Sequence, residues 1–111
     1  MAKPPSVQPL LKQIQQGMFR EAAATIEQLL KQFPQQASYW HLYSVVAIKL
    51  HQAVKAIEFS QRALQYSPTN IAYRVQLAAA LQQNVQITEA LAEAAAIERE
   101  SNITAAGDPV R

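Results

Sequence analysis

Two stretches, GMFREAAATIEQLLKQFP (17–34) and HQAVKAIEFSQRALQYSP (51–68), carry one pattern twice. Ala22 aligns with Ala56, Ile26 with Ser60, Leu30 with Leu64 and Pro34 with Pro68, each at an offset of 34 residues. One more step of 34 lands on Ala90, inside ITEALAEAAAIERESN. Self-similarity at a fixed period of this size is the mark of a repeat architecture, in which each unit buries its apolar face against the next.

Within a period the apolar residues recur every three or four positions, as on one side of a helix. In the middle unit the first helix is expected from about Ser38 to Leu50, with Trp40, Tyr43, Val46 or Ala47, and Leu50 on one side. The second is expected from about Ala53 to Tyr66, with Ala53, Ala56, Ile57, Ser60, Ala63 and Leu64. Pro68 follows where a helix cannot easily continue, and Thr69 or Asn70 can cap the next one. Ala, Leu and Gln dominate the 111 residues while Gly occurs only twice, a balance that favours helices. Alternating Val/Ile/Thr runs that would argue for strands are absent.

Spaced this way, the chain resembles a tetratricopeptide repeat protein of about three units, roughly 3–36, 37–70 and 71–104, in a single domain spanning 1–111. In 37–70 the matching residues are Trp40, Ala56, Ala63 and Pro68, with Ser44 a small residue at the glycine place; Tyr43, Ala47 and Ser60 depart from the pattern. The first unit keeps Gly17, Phe19, Glu21, Ala22 and Pro34, but has Ser6, Pro9 and Gln13 at the Trp, Leu and Tyr places. The third keeps Leu77, Ala78 and Ala90, with Arg74 and Asn102 replacing Trp and Pro. The resemblance implies an all-α fold, a right-handed superhelical array of antiparallel helix pairs. Ala56 and Ala63 suit such pairs, because a methyl group lets two helices approach without leaving a void.

Gly17 sits where the first helix should close with a left-handed residue, and His51 is its equivalent. The third unit places Val85 there, and a positive φ is costly for a β-branched residue. The echo of QQG (15–17) in QQN (82–84) leads to the expectation that Asn84 takes this cap and that the turn before Ala90 is one residue longer. Asp108-Pro109 reads as a helix start, so 105–111 is a tail or the beginning of a truncated helix.

The family's concave groove is lined by first helices and usually holds an extended peptide or a short helix. By the family pattern that groove would comprise Val7, Leu11, Ile14, Ser38, His41, Leu42, Val45, Lys49, Ala72, Val75, Gln76, Ala79 and Gln83. Some members grip a terminal carboxylate with Lys, Asn and Arg; the equivalent places here hold Val7, Leu11, Leu42, Ala72 and Gln76, which argues against that mode. An apolar groove with a polar fringe fits an amphipathic helix of a partner protein, a second copy of the chain, or a downstream domain of a longer chain. The resemblance therefore implies a protein-binding scaffold without chemistry of its own, and with no signal core or spanning run in view the expected compartment is the cytoplasm. The alternative is an accessory domain of a larger enzyme, such as a transferase.

Other chemistries find little support in the residues. There is no cysteine, which removes disulfides, thiolate metal sites and a cysteine nucleophile. His41 and His51 are ten apart, whereas two ligands on one helix want a spacing of three or four. Glu89 and Glu93 form a helix-surface pair rather than an acid–base couple, and no Ser-His-Asp order or Gly-rich phosphate loop occurs, so neither catalysis nor a cofactor is expected. The net charge of +2 comes from interspersed signs without a basic cluster, and Tyr39, Tyr43, Tyr66 and Tyr73 lack accompanying cations, so nucleic acid is not an expected partner. The N-terminus has no apolar signal core, and the strongly apolar run Val45 to Ile48 is far too short to span a bilayer.

Overall fold

Two turns, repeated 34 residues apart, organise the chain. A computed structural model describes residues 3–105, with side chains to residue 100. Its elements are α1 (Gln8–Gln15), α2 (Phe19–Gln32), α3 (Ala37–Lys49), α4 (Ala53–Tyr66) and α5 (Ile71–Ala105). Among the described residues there is no strand, and no helix is long and apolar enough to cross a membrane.

The turn after α1 is closed by two backbone bonds. The Gly17 amide donates to the Ile14 carbonyl at 3.0 Å and the Met18 amide to the Gln13 carbonyl at 2.9 Å. After α3 the His51 amide donates to Ile48 at 3.0 Å and the Gln52 amide to Ala47 at 2.8 Å. This pairing is a Schellman closure, which needs a left-handed residue at its centre. Gly17 has φ 76° and His51 has φ 58°, as their positions in the period demand. The α2–α3 and α4–α5 turns repeat in the same way, with Phe33 donating to Leu29 at 2.8 Å and Ser67 to Ala63 at 2.9 Å. Asn70 caps α5, its side-chain oxygen accepting from the Tyr73 amide at 3.2 Å.

The third turn does not form. α5 runs unbroken from Ile71 to Ala105, and among the described residues only His51 has a positive φ apart from glycine. Asn84 is therefore helical and caps nothing, contrary to expectation. Val85 occupies the place where the first two periods have Gly17 and His51, and its branched side chain disfavours a left-handed backbone. The neighbouring glutamines are good helix formers, so continuing the helix is locally the easier course. The third period is thus one long helix rather than a helix pair. The Asp108-Pro109 helix start lies outside the described residues.

The core has two parts. The larger joins Leu10, Ala22, Ile26, Leu30, Tyr39, Leu42 and Val46, from α1, α2 and α3. The smaller is an alanine contact, Ala47, Ala56 and Ala80, where α3, α4 and α5 meet. Ala22, Ala56 and Ala63 are completely buried, so the small-residue positions do allow the close helix approach. Ala90 and Ile97, which stand 34 residues after Ala56 and Ala63, are exposed because an unbroken α5 offers no helix to pack against them. From Thr88 to Glu100 every residue is exposed, and the molecule measures 75 × 28 × 22 Å.

Candidate binding groove

α3 and α5 lie beside each other and run in the same direction. The His41 ring stacks on Tyr73 at 4.7 Å, Gln76 donates to the Ser44 hydroxyl at 3.3 Å, and Gln83 donates to the Ile48 carbonyl at 3.0 Å. These three contacts step forward along both helices, so the pair is parallel and held by polar bonds between first helices of successive periods. Burial holds the His41 imidazole below its usual range, and its Nδ1 has no hydrogen-bond partner.

The residues assigned to the groove fall into three sets. Leu42 is not a groove residue: it is only 7 % exposed and belongs to the core with Ile26 and Val46. Val7, Leu11 and Ile14 are half-buried and pack against that same core. Ser38, His41 and Val45 are half-buried on α3, Lys49 is exposed, and Gln76 and Gln83 are bound to α3 as described. Ala72, Val75 and Ala79 are exposed on α5, with Val75 at 63 %. The face pattern failed at Leu42 because position on a helix gives a direction, while burial depends on which neighbour arrives there.

The aromatic residues are scaffold. Tyr39 is fully buried, donates to the Pro5 carbonyl at 2.6 Å and meets Phe33 edge-on at 6.4 Å. Trp40 donates to the Pro34 carbonyl at 2.8 Å and carries the Arg62 guanidinium 5.6 Å from its ring centre. Tyr43 stacks on Phe59 at 3.8 Å and donates to Glu27 at 2.6 Å. Burial first, then the Glu27 bond and the charges of Glu27 and Glu58, hold the Tyr43 phenol well above its usual range.

Sequence reading missed a second concavity. A cleft of about 490 Å³ between α2, α3 and α4 has Val46, Ala47 and Leu50 in its lining, together with Tyr43 and Phe59, and Arg20, Glu27 and Lys55 bring charge to it. Its residues come from three helices with no shared spacing, which leaves no linear signal. Among the described residues no group of three or more His, Cys, Asp or Glu is placed to hold a metal ion.

No protein-family profile matches this chain, and no curated protein does.

Proposed function

We propose that this chain is a tetratricopeptide-like, non-catalytic scaffold that binds a segment of a partner protein along the face shared by α3 and α5. The 34-residue recurrence of helix starts, helix ends and left-handed turns supports the family reading. The observation that carries the binding reading is the apolar strip Ala72, Val75 and Ala79, exposed on consecutive turns of α5, the helix that lies along α3. Lys49 at its edge supplies a polar fringe. Such a strip suits the apolar face of an amphipathic helix, whose anchors recur at the same three- and four-residue spacing. In this reading the work is cytoplasmic and needs no cofactor.

The test is affinity capture with the wild type and a Val75→Glu, Ala79→Glu variant of unchanged helicity. Selective loss of bound proteins from the variant supports the proposal. Recovery of the same proteins in the same amounts by both overturns it.

A further inference from the structure

A different face of α5 lacks the cover that its register receives elsewhere in the fold. In the middle period, Ser44 and Ala47 of α3 lie under α4, at 0 % and 2 % exposure. Their counterparts 34 residues on are Ala78, which is exposed, and Leu81, which is 47 % exposed. In the first period Leu10 holds the place of Ser44, and it is buried too. This side of a first helix is covered by a following helix twice and left bare the third time. The chain cannot cover it with residues 87–100, because they continue the same straight rod.

The bare side has a regular pattern. Ile71, Ala78, Val85 and Ala92 recur every seven residues, with Leu81 and Thr88 between the later ones and Ala95 following, and none of these seven is charged. Arg74, in the same register after Ile71, is the one charged residue of the row from Ile71 to Ala95 and marks its end. All seven are exposed, Ile71 at 73 % and Val85 at 53 %. A seven-residue spacing keeps side chains nearly in line along a helix, the condition for two helices to pair over a long contact. Alanines at the crossing points allow close approach. The Ala72, Val75 and Ala79 strip proposed above as the groove is turned away from the centre of this seam.

Charge identifies what fits the seam. The net charge of +2 conceals a separation: eight Lys and Arg against three Glu leave residues 1–87 at +5, while four glutamates and Arg99 leave 88–100 at −3. A second copy aligned parallel would bring the two acidic arms together. Aligned antiparallel about Val85, each acidic arm lies beside residues 70–82 of the other copy, where the one charged residue is the cation Arg74, so attraction replaces repulsion. The seam maps onto itself in that orientation, with Ala78 opposite Ala92 and Val85 near the two-fold axis.

We infer that the bare seam of α5 pairs antiparallel with the same seam of a second copy, burying Ala78, Leu81, Val85 and Ala92. The absence of native cysteine makes this directly testable. Sedimentation of the full chain at submillimolar concentration gives a dimer. Leu81→Glu, with helicity unchanged, weakens that dimer at least tenfold, whereas the groove variant Val75→Glu, Ala79→Glu leaves it intact. Under oxidation, an equimolar mixture of Ala78→Cys and Ala92→Cys chains forms linked dimers, while neither chain alone does so. A monomer throughout, a dimer indifferent to Leu81→Glu, or linkage of Ala78→Cys to itself overturns the inference. So does an intrachain disulfide in Leu81→Cys, Ala90→Cys: that bond requires α5 to fold back on itself, since a straight helix holds those positions about 13 Å apart.

Discussion

Ser44 and Ser60 face each other across the contact of α3 with α4, both fully buried, with their hydroxyl oxygens 2.6 Å apart. Ser44 gives its single hydrogen to the Ala56 carbonyl at 2.8 Å, so Ser60 donates to Ser44. The same Ser44 oxygen receives Gln76 from α5. One hydroxyl thus ties α3 to both of the helices that follow it. Ser44→Ala leaves Ser60 buried without its acceptor and is expected to cost about 1–3 kcal/mol. Removing both hydroxyls in Ser44→Ala, Ser60→Ala is expected to cost less than the two single changes added together, because the Ser60 donor that Ser44→Ala orphans is then gone, while Gln76 loses its acceptor in either case. Urea unfolding of the four proteins measures this, and strict additivity would show that the hydroxyls act independently.

The left-handed turns make opposite predictions for their two residues. Gly17→Ala meets no neighbouring atom within 4 Å, so its whole effect is backbone strain, a loss of about 1–2 kcal/mol. His51 already bears such strain at φ 58°. His51→Gly is expected to stabilise by about 0.5–1 kcal/mol, the relief being partly offset by the greater freedom of glycine in the unfolded chain. Thermal melts read both signs directly.

Tyr39 holds the segment before α1 through the Pro5 carbonyl. Tyr39→Phe keeps the ring against Phe33 and removes only that bond, with an expected cost of about 0.5–1.5 kcal/mol. Amide exchange should accelerate first near the start of α1. Equal acceleration throughout the chain would assign the hydroxyl a global role instead.

His41 sets a pH dependence whose sign follows from its burial. The folded protein lowers its pKa from the usual 6.5, so the unfolded chain takes up the proton more readily. The contribution is complete above about pH 6.5 and is lost as the pH falls towards the folded pKa. His41→Phe, which keeps an aromatic ring against Tyr73, should lose less stability between pH 7 and 5 than the wild type does. Identical slopes for the two proteins would refute this assignment.

Much of the architecture is legible in the residues because its causes are local. The starts of α3 and α4, the left-handed state at Gly17 and His51 and the Asn70 cap each follow from a few neighbouring side chains and backbone groups. The burial of Ala22 and Ala56 follows from the period. Of the positions that the family pattern assigns to a groove, Ala72, Val75 and Ala79 are exposed on α5, whereas Leu42 is buried in a core with α1 and α2 residues far from it in the chain. The Tyr43–Phe59 stack and the Ser44–Ser60 pair, each 16 residues apart, likewise required the helices to be docked.

The third period shows where local causes end. Its residues repeat the small-residue positions of the first two, and on pattern alone a turn belongs near Asn84. Val85 disfavours the left-handed state, and the packing available to residues 87–100 does not outweigh that cost, so α5 runs straight. A turn forms only when docking of the following helix exceeds its backbone strain. That balance rests on tertiary contacts, and it leaves Leu81 and Val85 exposed on α5, whereas Ala47 lies in the core and Gly17 and His51 close turns at the equivalent places.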